Sequence, residues 1–451
     1  VITARAFANR KFAVLGLARS GMAVVESLLA SGADVTAWDR QATPRKKLEG
    51  RCTIADPMKI DLTGFDGVVV SPGVPLNTHP LAAKARAAGV PLIGDIELFA
   101  QARTELPAHK VVGITGTNGK STTTALVHHL LTSAGVDARM GGNIGLPILG
   151  QQPLPQGGVY VLELSSYQID LTYSLACDAA ALTNITPDHL DRYDSFVSYA
   201  ASKARLFAMQ DASQFAVFGC EDPETCAVQG AEVARRQQGR ARCVYAEGLV
   251  EYQSEWPSLQ GPHNMQNAMI AAALVEELGL SREQVLQGLS SFRGLPHRME
   301  VLGTFDGLLV INDSKATNPA STAPALAAWP ANPEPRIHWI CGGLPKTDNL
   351  DECAASFGNI AAAYTIGEAG PLFARLLRDH IPVQECEMLC EAVAQALKAA
   401  KPGDVVLFSP ACASFDQFRD YEHRGDTFRE IVGNLTGSDQ RREGFTASSA
   451  A

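Results

Sequence analysis

The stretch from Lys110 to Thr124, KVVGITGTNGKSTTT, holds the densest set of groups able to do chemistry. Gly116 and Gly119 flank Thr117 and Asn118, and Lys120, Ser121 and Thr122 follow. Glycines admit backbone turns closed to residues with a Cβ, so several N–H groups can face one anion. Lys120 adds a positive charge and Ser121 a hydroxyl for magnesium. A helix opening here aims its free N–H groups and the positive end of its dipole at the same place. A nucleotide triphosphate fits that combination. The pattern departs from the general phosphate loop G-x-x-x-x-G-K-[ST], because Ile114 stands where its first glycine would be. An ordinary glycine turn before a core helix is the alternative reading.

Further candidates lie downstream. Glu163 closes the apolar strand Tyr160 to Leu164, where a charge is costly unless paired or bound to a metal, so magnesium and a structural salt bridge both stand open. The run Thr183 to Arg192, TNITPDHLDR, stacks Asp188, His189, Asp191 and Arg192, either as a site or as a solvated loop. A helix over Tyr199 to Phe207 carries Lys203 and Arg205, with nothing in the spacing that singles out Lys203. Asn264 and Asn267 can present amides to a purine base at the start of an Ala-rich helix through Leu278, although helix capping explains Asn264 as well.

The elements that must position these groups alternate strand and helix. Residues 11 to 39 read strand, turn, helix, strand, a unit that binds nucleotide-like ligands where strand meets helix. Its turn, Gly16 to Gly21, has Ala18 in place of the middle glycine, which makes a dinucleotide a weak fit and leaves a purely structural unit open. Asp39 ends the second strand, where it can take a ribose or uracil hydrogen bond. A strand at Gly67 to Val70 runs into Ser71-Pro72-Gly73, and a short strand at Pro91 to Ile93 precedes a helix over Asp95 to Ala102. Gln101 to His109 reads as a link to a second segment, built on strands at Lys110, Tyr160 to Leu164 and Ala179 to Leu182, with Gly141 to Gly145 as a loop. A third segment has strands at Leu308 to Ile311, Ile337 to Cys341, Ala363 to Ile366 and Val405 to Ser409, each followed by a polar or glycine-rich turn. That alternation predicts doubly wound α/β sheets.

At 451 residues the chain calls for two or three domains. A net charge of −10 argues against a nucleic-acid partner. Ten cysteines without C-x-x-C pairs or zinc spacing suit a reducing cytosol. No charged-then-apolar leader opens the chain and no stretch of 18 apolar residues occurs, so neither export nor membrane insertion is expected. The tail after Gly437 has a disordered composition.

Taken together, GITGTNGKS at 113–121, Glu163 in LELSSYQ, Asp188-His189 in TPDHLDRY, Lys203 in SKARLF, GPHNMQN at 261–267, LPHRME at 295–300 and NDSKATNP at 312–319 resemble the Mur ligases over nearly the whole chain. These are the ATP-dependent ligases that build the peptide stem of bacterial peptidoglycan. NDSKATNP, CGGLPKTDN at 341–349 and SPACASFDQFRDYEHRG at 409–425 look like the branch that adds D-glutamate to UDP-N-acetylmuramoyl-L-alanine, with Tyr421 where Phe often stands.

The resemblance implies three α/β domains: a Rossmann-like UDP-sugar domain (1–98), a central P-loop ATPase-like domain on a mostly parallel sheet (99–294), and a Rossmann-like amino-acid domain (295–451). ATP would meet Gly116, Thr117, Asn118, Gly119, Lys120, Ser121, Thr122, Asn264, Asn267, Arg298 and Asp313. Two Mg2+ ions would be held by Ser121 and Glu163 and by His189 and a carbamylated Lys203. UDP-sugar would meet Leu17, Ala18, Arg19, Asp39, Arg40, Ser71, Pro72, Gly73, Asn143 and Ser165. The incoming amino acid would meet Thr317, Lys346, Ser414 and Tyr421. Lys120, Asn143, Glu163, His189, Lys203 and Lys315 would carry catalysis in a cytoplasmic monomer. A sister ligase, a folate polyglutamate ligase and a nucleotide-regulated binding protein are the alternatives; a dinucleotide-dependent oxidoreductase fits less well.

Overall fold

The protein is described by a computed structural model covering residues 1–188 and 192–437. Its first sheet comprises β1 (Lys11–Leu15), β2 (Asp34–Trp38), β3 (Thr53–Ile54), β4 (Gly67–Val70) and β5 (Leu92–Ile93), in the order β3-β2-β1-β4-β5. All its pairings are parallel. Val68, Val69 and Val70 follow one another without polar alternation because helices cover both faces of a parallel sheet. The order reverses at β1, so the crevice beyond the carboxyl ends of β1 and β4 is the natural ligand position. The turn at Gly16 and the loop at Ser71 meet there, Ser71 Oγ donating to Gly16 O at 2.9 Å.

The second sheet comprises β6 (Lys110–Thr115), β7 (Ala138–Gly142), β8 (Val159–Glu163), β9 (Ala179–Leu182), β10 (Phe215–Gly219) and β11 (Ala241–Val244). Its order is β11-β10-β9-β6-β8-β7, again wholly parallel. β6 has β8 and β9 as neighbours, so the carboxyl ends of three strands deliver Gly116, Leu164 and Thr183 to one place. The third sheet comprises β12 (Glu300–Phe305), β13 (Leu308–Asn312), β14 (Ile337–Gly342), β15 (Ile360–Ile366), β16 (Val383–Glu387) and β17 (Val405–Phe408). Its order is β12-β13-β17-β14-β15-β16, with β12 antiparallel to β13 and the other pairings parallel.

Two compact units emerge. The described residues among 1–248 and 266–289 form one, with the first two sheets, and those among 249–265 and 290–437 form the other, with the third sheet. In the first, Phe7, Phe12, Leu28, Phe99, Tyr160, Leu162, Phe207 and Phe218 share one apolar core. Burying each such side chain stabilises the fold by about 2 kcal/mol. In the second, Trp339, Ile337, Cys341 and Leu407 pack one side of the sheet and Ile340, Phe408 and Phe428 the other.

Several expectations need correction. Gly141 and Gly142 end β7 rather than opening a loop. Gln101 belongs to the helix Asp95–Ala102, and the link begins with a 3-10 turn at Arg103–Glu105. Between β10 and β11 lies the helix Pro223–Arg235, started by Asp222, whose side chain accepts from Thr225 N. Cys220 and Cys243 bring their sulfurs against each other. Neighbouring parallel strands bring their Cα atoms to 6.0 Å, a proximity that a separation of 23 residues does not signal. No helix among the described residues is long and apolar enough to cross a membrane.

Candidate active site

The phosphate cradle forms where β6 gives way to the helix Lys120–Ser133. Gly119 is the N-cap residue, with φ of +81°, and a Cβ on it would land on Asn267 Oδ1. Gly116 has φ of +146°, and a Cβ there would land on Thr183 Oγ1. Both positions therefore need glycine for conformation and for space. The loop is anchored from the end of β9. Thr117 N donates to Asn184 O at 2.8 Å, Asn118 N to Asn184 Oδ1 at 2.9 Å, and Thr183 Oγ1 to Asn118 O at 2.6 Å. The Thr117 hydroxyl lies 3.1 Å from Tyr199 OH. Lys120 Nζ donates back to Thr117 O at 2.7 Å, which holds its ammonium over the cradle. Ser121 and Thr122 occupy the first turn of the same helix, and Asn267 Oδ1 accepts from Thr123 Oγ1 at 3.2 Å.

Glu163 ends β8 and is 2% exposed. Its Oε1 accepts from Asn143 Nδ2 at 2.7 Å, while Asn143 N donates to Glu163 O at 2.9 Å. Its Oε2 is buried without a hydrogen-bond partner. A buried carboxylate oxygen left in that state is costly, and a cation is the group it lacks. An orphaned carboxylate oxygen of this kind fits a hard divalent cation such as magnesium.

Lys203 comes from the helix Phe196–Ala208 and is also 2% exposed. Its Nζ donates to Gly116 O at 2.7 Å and stands 4.5 Å from the centre of the Tyr199 ring. Burial, and secondarily the nearby Lys120 charge, push its amine down to about 7, against the pull of Asp188 and Asp170. Near neutral pH this lysine is therefore partly an uncharged nucleophile. Asp170 fixes its surroundings, accepting from Ser202 Oγ and Tyr193 OH, each at 2.7 Å. His189, expected beside it, lies outside the described residues.

At the first sheet, the turn after β1 is closed by Asp39, whose Oδ2 accepts from Leu17 N at 2.6 Å and whose Oδ1 accepts from Gln41 N at 2.8 Å. Leu17 is buried; Ala18 is the N-cap residue of the helix Arg19–Ala30, without a side-chain bond to offer. The exposed Arg19 donates to Gly145 O at 3.1 Å, and Arg40 is exposed. Ser71, Pro72 and Gly73 follow β4, with Gly73 O accepting from Arg192 at 3.2 Å. Ser165 forms a capping box with Gln168, and so serves to start the helix Ser166–Asp170.

In the second unit the loops after β13, β14 and β17 come together. Asp313 is buried. It accepts from Ser409 Oγ at 2.7 Å and Met299 N at 3.1 Å, and burial pushes its carboxyl up to about 7 even with Arg298 nearby. Arg298 Nε is itself buried without a partner. Lys315 is exposed; its N donates to His297 O at 2.9 Å and its Nζ stands 5.4 Å from the centre of the Tyr421 ring. Lys346 Nζ donates to Thr317 Oγ1 at 3.1 Å. Ser414 is buried in the loop after β17, and Ser314 Oγ donates to Tyr421 O at 2.8 Å. Asn264 donates to Gln260 O at 3.1 Å from within the helix Pro262–Glu277, so it is not the cap of that helix.

Sequence reasoning missed Tyr199, Thr183 and Asn184 as walls of the cradle, and Ser409 as the partner of Asp313. Thr183-Asn184 stood directly after a strand, the one signal available. Tyr199 and Ser409 are distant in sequence from what they touch and gave none.

Known proteins resemble the chain domain by domain. The Mur ligase MurD-like N-terminal domain matches residues 10–94, the Mur ligase middle domain 114–275, and the Mur ligase glutamate ligase domain 297–412. The UDP-N-acetylmuramoylalanine--D-glutamate ligase of Novosphingobium aromaticivorans is 67% identical, the alignment covering 96% of this chain and 97% of that one. Proteins of the same name from Sphingopyxis alaskensis and Zymomonas mobilis are 58% and 53% identical, with 96% of this chain and 100% of each relative covered. Among solved structures, UDP-N-acetylmuramate-alanine ligase of Thermotoga maritima superposes with a TM-score of 0.54 at 19% identity, covering 94% of this chain and 99% of that one, a likeness of fold.

Proposed function

Because the chain belongs to the Mur ligase family, we propose that it joins D-glutamate to UDP-N-acetylmuramoyl-L-alanine at the expense of ATP, a cytoplasmic step of peptidoglycan synthesis. The acceptor and donor follow from near-full-length relatives at 53–67% identity that carry that name. The observation that carries the phosphoryl-transfer half is the unpartnered Glu163 Oε2 beside a glycine cradle and Lys120.

The substrate carboxylate attacks the γ-phosphorus of ATP, ADP leaves, and an acyl phosphate forms. The D-glutamate amine, having lost a proton, then attacks the acyl carbon and inorganic phosphate leaves. Phosphoryl transfer asks mainly for positioning and charge neutralisation. The cradle N–H groups and Lys120 neutralise the phosphates, Thr122 and Asn267 flank the nucleotide, and Asn143 orients Glu163 while facing the acyl group. Ser121 and Glu163 would hold a magnesium ion, which would supply further charge neutralisation. Lys203, once carbamylated, becomes an anion able to hold a second such ion with His189. A plain ammonium would repel it.

Asn264, Arg298 and Asp313 serve the nucleotide. Lys315, Thr317, Lys346, Ser414 and Tyr421 answer the two carboxylates of the acceptor. Leu17 to Arg19, Asp39, Arg40 and Ser71 to Gly73 hold the UDP-sugar, and Ser165 shapes its approach. On this reading residues 1–98, 99–294 and 295–451 are the UDP-sugar, ATP and amino-acid domains.

Trapping tests the acyl phosphate. With ATP, UDP-N-acetylmuramoyl-L-alanine and hydroxylamine but no D-glutamate, the enzyme should yield the hydroxamate of the nucleotide sugar together with ADP. ADP without hydroxamate would remove the intermediate.

A further inference from the structure

Arg424 sits in the first turn of the helix Tyr421–Thr436 and is 1% exposed. A cation there faces the positive end of the helix dipole, and the nearby Asp416 carboxylate works against the cost of burying it. Such a buried charge is expensive and calls for compensation. Its bonds supply part of it. Nε donates to Ser314 Oγ at 3.1 Å, one terminal nitrogen to Ala413 O at 3.1 Å, and the other to Ser314 O at 2.8 Å and Cys412 O at 3.1 Å. Every hydrogen-bond acceptor is neutral, and the Asp416 carboxylate offsets part of the charge from beside them.

Those acceptors belong to the loops that surround the acceptor site. Ser314 precedes Lys315 and Thr317 after β13, and Cys412 and Ala413 precede Ser414 after β17. Ala413 O also accepts from Leu344 N at 2.9 Å, which ties in the loop after β14 that carries Lys346. Gly343 leaves room for this junction, since a Cβ on it would press on Ala413 O.

We infer that Arg424 is the positioning residue of the acidic-acceptor site: one buried guanidinium locks the loops carrying Lys315, Lys346 and Ser414 in the arrangement that receives the dicarboxylate. The inference rests on the proposed assignment of those residues to the amino acid. It predicts that Arg424 acts on acceptor binding far more than on either nucleotide.

Arg424→Met and Arg424→Lys test it through three Michaelis constants. In Arg424→Met the KM for D-glutamate should rise by about tenfold or more, the worth of charge-assisted hydrogen bonds lost, with the constants for ATP and the UDP-sugar changing by less than about threefold. Arg424→Lys, which keeps the charge but not the planar fork, should recover part of that rise. No rise, or an equal rise in all three constants, would overturn the assignment. Should Arg424→Met fail to fold, Ser314→Ala, which removes the acceptor of Nε, takes its place with the same split expected and the same parallel outcome contradicting it. Lys346→Ala separates the layers: a raised D-glutamate KM there beside an unchanged one in Arg424→Met overturns the role of Arg424 alone. An unchanged value in both removes the acceptor-site reading as well.

Discussion

Lys203 and Asp313 are both buried ionisable groups pushed toward neutrality, in opposite directions. For Lys203 the folded value is about 7 against an ordinary 10.5, so between those limits the folded protein holds fewer protons at this site than the unfolded chain. Its contribution to stability therefore rises with pH across that window. Carbamate formation consumes the neutral amine, and occupancy should rise as pH passes through about 7. Protein stripped of carbon dioxide below that pH should lose activity and regain it with bicarbonate, and the peptide containing Lys203 should gain the mass of one carbon dioxide; activity indifferent to bicarbonate, with an unmodified peptide, would refute this. For Asp313 the folded value is about 7 against an ordinary 3.8, so its carboxyl favours folding below that window and the benefit is lost as pH rises through it. Asp313→Asn removes the titration. The melting temperature of the variant relative to the parent should increase from mildly acidic to mildly alkaline pH, and a constant difference would contradict the burial argument.

The strand–turn–helix at Lys110 to Ser133 was legible almost to the residue, because β-branched residues, two glycines and Lys-Ser each push the same way. What the sequence hid was the reason for the glycines: Gly116 lies against Thr183, and Gly119 against Asn267. Such contacts join residues far apart in the chain, which periodicity does not register. The strands missed have local causes. β7 ends in Gly141-Gly142, a turn signal in isolation, yet the missing side chain at Gly142 is what lets it lie against Glu163 O. β16, VQECE, is largely exposed and polar. At this scale Gly119→Ala is the telling change. Left-handed φ and the overlap with Asn267 should cost about 1–3 kcal/mol of stability and raise the KM for ATP by about tenfold or more; thermal melting and ATP kinetics measure both, and a variant with unaltered KM would show that the cradle does not hold the phosphates.

Across the whole chain the alternation of strand and helix announced three α/β sheets, and each is present. The grouping of residues 266–289 with the first two sheets and 249–265 with the third was not legible, since it depends on packing between residues far apart in the chain. Likewise the cationic loops of the third sheet read as separate turns until β13, β14 and β17 brought them side by side. On this reading the molecule couples ATP cleavage to the capture of one particular acidic amino acid. The most direct measurement is phosphate release from ATP with UDP-N-acetylmuramoyl-L-alanine, comparing D-glutamate, L-glutamate and L-alanine as acceptors. Release that depends on D-glutamate is the predicted result; release supported equally by L-alanine, or none with any of the three, would contradict it.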